Sequence, residues 1–312
     1  MSEPWRAQLR VVDVFRLLLS LLIVFALASQ ASAQSASSPS IGEQVSRDVF
    51  EIYQRGLSFL KQPQDERGTW PAGECAGPGT SGLAVLAFLA SGEDPNFGPH
   101  RDVIYKGLRH MINSQSGVTG YMGPSMYHHG FAMLALCEAH GAVDDSQWSS
   151  LADPPKRSLA AAIELSVRAA VTSQKRNRFR AWRYAPNASD ADTSVSGAVL
   201  MGLLAARNAG SEVPDEAIDA AIDYFVLMTS KDGTVGYTGG EAGGQESIAR
   251  SSIAHLVFAI ARRKDLDAFE STRRYLIQTQ DTPSTWPEYA RYYRAQALFQ
   301  SDLPASKRWN QQ

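Results

Sequence analysis

Two kinds of apolar pattern alternate along this chain. The first is a stripe: Ile218, Ala221, Ile222 and Phe225 recur at i, i+3, i+4 and i+7 with charges opposite, as in an amphipathic helix. The second is apolar nearly all round. Its runs are SGLAVLAFLA from Ser81, GFAMLALCEA from Gly130, SVSGAVLMGLLAA from Ser194, SSIAHLVFAIA from Ser251 and YYRAQALFQ from Tyr292. A helix of that kind must be covered on more than one side. Gly92, Gly141 and Gly210 follow the first three runs, where a glycine in the left-handed conformation closes a helix. No segment of comparable strength has strand character. Striped helices belong outside and all-apolar helices inside, so the pattern predicts an all-α fold: an α/α toroid of about five helical hairpins in two concentric rings.

Each hairpin carries a version of one motif. In the first copy Arg55-Gly56 leads to Phe59-Leu60, Gln64, Gly68 and Trp70. The second has Lys106-Gly107-Leu108, Met111, Gln115 and Gly120-Tyr121, and the third Val171, Gln174 and Ala181-Trp182 through Pro186. A fourth keeps Tyr224-Phe225, Asp232-Gly233 and Gly236-Tyr237, and a fifth Tyr275-Leu276, Gln280, Ser284 and Trp286. The period, roughly 50–60 residues, is that of a helical repeat array. Physically, Gly permits a tight reversal after the first helix, and Trp70 and Trp286 are expected to fill gaps between repeats. Gln is expected to bond free backbone groups at a helix end.

The spacing basic-Gly-x-x-Phe-Leu-x-x-x-Gln-x-x-x-Gly-x-Trp resembles the QW repeat of terpene cyclases and protein prenyltransferase β-subunits, the prenyltransferase/squalene-oxidase repeat family. The resemblance covers about residues 45–310. It is strongest to single-barrel, exported bacterial members, through HisGlyPheAla-x-x-x-LeuCysGluAla-x-Gly from His129, AspThrSerVal-x-Gly from Asp192, and the Tyr292-Tyr293…Trp309-Asn310 ending. It implies the same toroid and passes on no catalytic residues.

Outside the repeats, Arg6, Arg10 and Arg16 precede the run LLLSLLIVFALA, which ends at Ala31-Ser32-Ala33. This predicts a signal peptide over 1–33, an exported protein (periplasmic or extracellular) and a polar linker over 34–44, with a toroid domain over 45–312; the rival reading is an uncleaved N-terminal anchor. No later run is apolar enough to span a membrane. The formal net charge is −2 with both signs interspersed, which argues against a nucleic-acid partner. The densest basic cluster, Lys175, Arg176, Arg178, Arg180 and Arg183, reads as a solvated loop or as an anion or polysaccharide contact. The two cysteines, although exported chains favour disulfides, fall at opposite ends of parallel helices. Cys137 aligns with Phe88, thirteen residues beyond Cys75, about 20 Å along an axis. Two free thiols are expected, because a disulfide needs Cα atoms within about 7 Å.

Parallel inner helices bring their N-termini to one mouth, which gathers the candidate site. The expected acid–base groups are His128, His129, Asp192 and Tyr292; the expected ligand contacts are Glu74, Thr80, Thr193, Glu246, Arg250 and Tyr289. Each has a plainer role open to it. Asp192-Thr193 precedes an apolar helix as an N-cap would. Against the Asp-x-Asp-Asp-Thr-Ala motif of squalene–hopene-type cyclases, Ala191 stands where the resemblance would put the proton donor. Tyr127-His128 resembles the zinc-binding Tyr-His of prenyltransferase β-subunits, but the Asp-x-Cys partner is missing, so no metal is expected, nor any cofactor. Two functions follow. One is an exported, non-catalytic toroid that takes a hydrophobic or carbohydrate ligand, or a partner, at the cavity mouth. The other is an enzyme in the same cavity acting on isoprenoid-like lipid or polysaccharide.

Overall fold

A computed structural model describes residues 47–146, 148–151, 153–243, 248–279 and 284–309. The expected signal peptide and most of the linker, together with Glu246, Gln280 and Asn310, lie outside the described residues. The chain divides into two compact units, residues 1–56 and 57–312. Of the first, the described part is helical and carries an exposed Arg47–Glu51 ion pair.

Among the described residues there are eleven α-helices and no strand. They are α1 (Arg47–Lys61), α2 (Pro78–Leu89), α3 (Arg101–Ser114), α4 (Met126–Ala139), α5 (Leu159–Arg176), α6 (Thr193–Asn208), α7 (Asp215–Met228), α8 (Ile248–Ile260), α9 (Asp267–Gln278), α10 (Pro287–Ser301) and α11 (Leu303–Trp309). The all-apolar runs form α2, α4, α6, α8 and α10, and each packs on the next; α3, α5, α7 and α9 pack against that row. Among the described residues, no helix is long and apolar enough to cross a membrane.

Glycine sets the spacing within the row. The fifth residue of α2, α4 and α6 is Gly82, Gly130 and Gly197. A Cβ there would lie 2.7 Å from the Phe131 carbonyl oxygen, 2.6 Å from the Ala198 carbonyl carbon and 2.2 Å from Ile253 Cγ2. Phe131, Ala198 and Ile253 are each the sixth residue of the following helix. Near the N-terminus, a Cβ on Gly79 would meet His128 Cα at 2.6 Å, again one residue further along. Neighbouring helices therefore run parallel in a common register; α2–α4 and α4–α6 stand at a separation that a side chain at this level would not permit, while between α6 and α8 Gly197 makes room for the Ile253 side chain. Both thiols are free in that register, Cys75 exposed and Cys137 buried.

The motif residues act between repeats. Gln64, Gln115 and Gln174 each donate through Nε2 to a first-turn carbonyl of the next odd-numbered helix, Val103 at 2.9 Å, Ala162 at 2.9 Å and Ala217 at 2.7 Å. The glutamine thus links repeats rather than satisfying a free group at its own helix end. Gly68, Gly120 and Gly233 have φ of 84°, 78° and 87° and press their backbones on the same neighbours. A Cβ would stand 1.9 to 2.1 Å from the carbonyl oxygens of Lys106, Leu165 and Ser271. Two residues further on, Trp70, Met122, Trp182 and Val235 are all buried. The tryptophan position of the second and fourth copies is therefore held by Met122 and Val235, not by Tyr121 or Tyr237. Trp70 Nε1 donates to the Leu60 carbonyl at 2.7 Å and Trp182 Nε1 to that of Ala170 at 2.9 Å. Trp286 does not join them. It is 68% exposed, so the expectation that it fills an inter-repeat gap is corrected.

The third copy has Arg180 where the first, second and fourth have glycine, and it holds φ at 53°. A side chain in that region costs on the order of 1 kcal/mol or more. Arg180→Gly should stabilise the protein by about 1 kcal/mol in chemical denaturation, whereas Gly120→Ala should cost about 2 kcal/mol or more, because the Leu165 carbonyl must move. Trp182→Ala should cost about 3–5 kcal/mol and Trp286→Ala less than about 1 kcal/mol. Equal effects for the two tryptophans in the same experiment would contradict this assignment.

Candidate functional site

Helix starts organise the polar residues of the row. The fourth residue of α2, α6 and α8 is Ser81, Ser196 and Ser251, and each hydroxyl donates to its own repeat's loop: the carbonyls of Gly68 (3.4 Å), Trp182 (3.1 Å) and Gly233 (2.9 Å). His129 is the fourth residue of α4 and does the same work with a ring. Its Nδ1 accepts from the Met122 N–H at 3.2 Å, which places the proton on Nε2, 3.0 Å from the Ser166 carbonyl. Both nitrogens are engaged, the residue is wholly buried, and burial pushes its pKa down to about 4. As a neutral strut it has no lone pair to offer a substrate.

His128 serves the neighbouring helix. Its Nδ1 accepts from the N–H of Gly79 at 3.2 Å, in the first turn of α2, which has no side-chain cap of its own. An imidazole from the next repeat thus satisfies one of the free N–H groups at that helix end. Burial lowers its pKa, which favours the neutral ring this bond requires.

Asp192 caps α6, its Oδ1 accepting from the Val195 N–H at 2.8 Å. The side chain is fully buried and Oδ2 has no partner among the described residues. Burial raises its pKa to about 6, outweighing that hydrogen bond and the attraction of Arg183. Thr193 donates to the Gly236 carbonyl at 2.9 Å, and Arg250 Nε to that of Val235 at 2.8 Å. Thr80 donates to the Cys75 carbonyl, and Glu74 is exposed in the short turn Gly73–Cys75.

At this end of the row the space is filled by rings. The Tyr127 hydroxyl on α4 donates to the Tyr289 hydroxyl on α10 at 2.7 Å, and Tyr289 is also within hydrogen-bonding range of Ser194 at the start of α6. Tyr289 and Tyr292 both meet the buried Tyr293 edge to face, with centroids 4.9 and 5.0 Å apart. Burial raises the pKa of all four phenols, so they stay neutral.

The open volume lies nearer the other end. A cavity of about 740 Å³ is bounded by the C-terminal halves of α2, α4 and α6, the last residue of α8, and α10. Its walls are chiefly Leu83, Leu86, Leu89, Leu134, Met201, Ala205, Ile260 and the ring of Tyr292; Glu138, Asn208, Gln296 and Gln300 add polar groups. Among the expected site residues Tyr292 alone lines it. His128, His129, Asp192 and Tyr292 form no hydrogen bonds with one another. Among the described residues no three His, Cys, Asp or Glu side chains are grouped to hold a metal ion. The cavity itself was missed in the sequence because its wall residues read only as core.

Compared with models of known protein families and with curated protein sequences, the chain matches none.

Asp192 makes stability depend on pH. A carboxyl whose folded pKa lies above its unfolded value near 3.8 favours folding when protonated, and that contribution is lost as pH rises from about 4 through 6. Asp192→Asn should remove the dependence. Between about pH 4 and 7 the variant should gain about 2–3 kcal/mol relative to the parent in urea denaturation. A difference that stays constant over that window would show that the carboxyl does not titrate there.

Proposed function

We propose that this chain is an exported α/α-toroid protein of the QW-repeat family that binds an apolar, uncharged or cationic ligand in its central cavity and does no chemistry on it. The carrying observation is the cavity: about 740 Å³, within the range of small-molecule sites, with walls mainly of aliphatic carbon and a single carboxylate, Glu138. The toroid reading is supported by the common parallel register of α2, α4, α6 and α8, by the packing of α10 on α8, and by the participation of all five in the cavity wall. The non-catalytic reading is supported by the dispersal of the four acid–base candidates, of which the two histidines already hold backbone groups. Charge supports the ligand class, since the ends of α2, α4 and α6 that border the cavity are the negative ends of their dipoles.

A second reading, an enzyme acting on isoprenoid-like lipid, draws on one observation: the buried, unpartnered Oδ2 of Asp192 with a pKa near 6, a carboxylic acid poised to donate. That acid sits at the tyrosine-filled end, which favours the binding reading.

The neutral probe N-phenylnaphthylamine should bind to the purified protein with enhanced fluorescence. Met201→Trp, or Ala205→Phe as a second block, should weaken binding at least tenfold, while a fatty-acid anion should compete poorly. Unchanged probe binding in both folded variants would overturn the cavity assignment, and turnover of an isoprenoid lipid lost in Asp192→Asn would establish the enzyme.

A further inference from the structure

A second pocket, of about 380 Å³, lies between the loop after α3, one face of α5 and the turn at Pro186-Asn187. It shares no wall residue with the central cavity. Arg168, Thr172 and Arg176 succeed one another at four-residue steps along α5, and Ser173 lies beside them. Two guanidinium groups and no carboxylate line the space, so its potential is positive. Arg168 is partly engaged: its Nη2 donates to the Val118 carbonyl at 3.1 Å and holds the loop in place. Arg176 has no hydrogen bond or ion pair among the described residues, and neither does the hydroxyl of Ser173, a residue only 7% exposed. The Tyr121 hydroxyl is likewise buried without a partner. Val118 is 86% exposed, and with Pro186 and the Tyr121 ring it gives the pocket apolar faces beside these polar groups.

Unpaired guanidinium, free hydroxyls and exposed apolar faces in one concavity match the chemistry of a charged sugar. An anionic substituent takes a guanidinium, ring hydroxyls take Ser, Thr and Asn side chains, and the C–H face rests on apolar carbon. We propose that this pocket binds an acidic saccharide, with its carboxylate or sulfate on Arg176 and Arg168 and its hydroxyls on Ser173, Thr172 and Asn187. A guanidinium serves either anion, since both present paired oxygens to its fork.

Calorimetric titration of the whole chain with digalacturonic acid, a sulfated heparin disaccharide, cellobiose and sodium sulfate tests this. At least one acidic disaccharide should bind, and the tighter of the two identifies the anion. Arg176→Ala should weaken it at least tenfold and Arg176→Lys less, and affinity should fall between about 50 and 500 mM salt. Cellobiose and sulfate should bind at least tenfold more weakly. Because Arg176 is exposed and unpaired, its removal leaves the fold intact; Ser173→Ala, with a smaller loss, is the second variant. Met201→Trp, which blocks the central cavity, should leave this binding unchanged, so the two sites stand or fall separately. Failure of both acidic disaccharides to bind overturns the proposal, as does equal binding by sulfate alone or by cellobiose, or an Arg176→Ala protein that binds as the parent does.

Discussion

The polar contacts at the helix starts depend on the near-contact of neighbouring backbones at Gly82 and Gly130, and on the room that Gly197 leaves for the Ile253 side chain. At those levels the next helix stands where a Cβ would be, so the pairs α2–α4, α4–α6 and α6–α8 are locked one residue out of step. This fixes depth as well as spacing. His128 comes level with the free N–H of Gly79 because α4 is held there by Gly82, and the fourth residue of each helix comes level with its own loop. A side chain at Gly82 or Gly130 would meet the backbone of the next helix, separate the helices and carry these polar contacts apart together. The backbone contact is therefore the cause, and the hydrogen bonds at the helix starts are its consequence.

A second set of contacts ties the odd-numbered helices to the row, and it uses the same device in a loop. Glycine at positive φ allows the loop to touch a neighbouring carbonyl, and a glutamine side chain bridges to the same helix. Donation to a carbonyl already within a helix adds a second bond to that oxygen, which has a lone pair to spare. Because the donor is a primary amide, its two N–H groups can serve different acceptors. Gln174 reaches Arg180 and Ala217, and Gln115 has three oxygens in range, those of Gly120, Ala162 and Ser166, so that one of its N–H groups is shared. Where the fourth copy lacks glutamine, Ser230, Asp232 and Thr234 hold the loop by local bonds instead. The repeat thus tolerates loss of its most recognisable residue when the turn can stabilise itself.

The helices themselves were legible because their apolar periods differ, a stripe for one kind and continuous coverage for the other. The helix positions were legible too, as were the free thiols, since register follows from spacing. What the spacing could not convey was which element fills a space. Tyr293 belongs to the fifth apolar run and Tyr289 lies just before it; the sequence gathers Tyr289 at the mouth as a ligand contact, and nothing in it marks either ring as packing at the end where α4 and α6 begin. The same applies to Trp286, which stands at the motif's spacing and yet has its side chain largely exposed. The roles of His128 and His129 were half visible. Their neighbours in the motif suggested chemistry, and only alignment with Ser81, Ser196 and Ser251 across repeats shows that His129 occupies a structural position.

The filling of one end by tyrosine decides the electrostatics of the remainder. Parallel helices give one end of the row a positive potential and the other a negative one. The positive end would suit an anion, but there the space is taken by neutral phenols, and a buried carboxyl is held part-protonated by the cost of desolvation, its N–H contacts being too few to offset it. What stays open is the negative end, where an anion meets both the carbonyl ends of three helices and Glu138. Cations and neutral apolar molecules meet no such penalty. An anionic ligand must then be met by side chains rather than by the fold's dipoles, and the unpaired Arg176 supplies that charge on α5, at a pocket with no wall in common with the cavity. The two pockets thus differ in the origin of their sign: the cavity takes its negative potential from the parallel helix ends and Glu138, whereas the pocket on α5 takes its positive potential from the Arg168 and Arg176 side chains, outside the row.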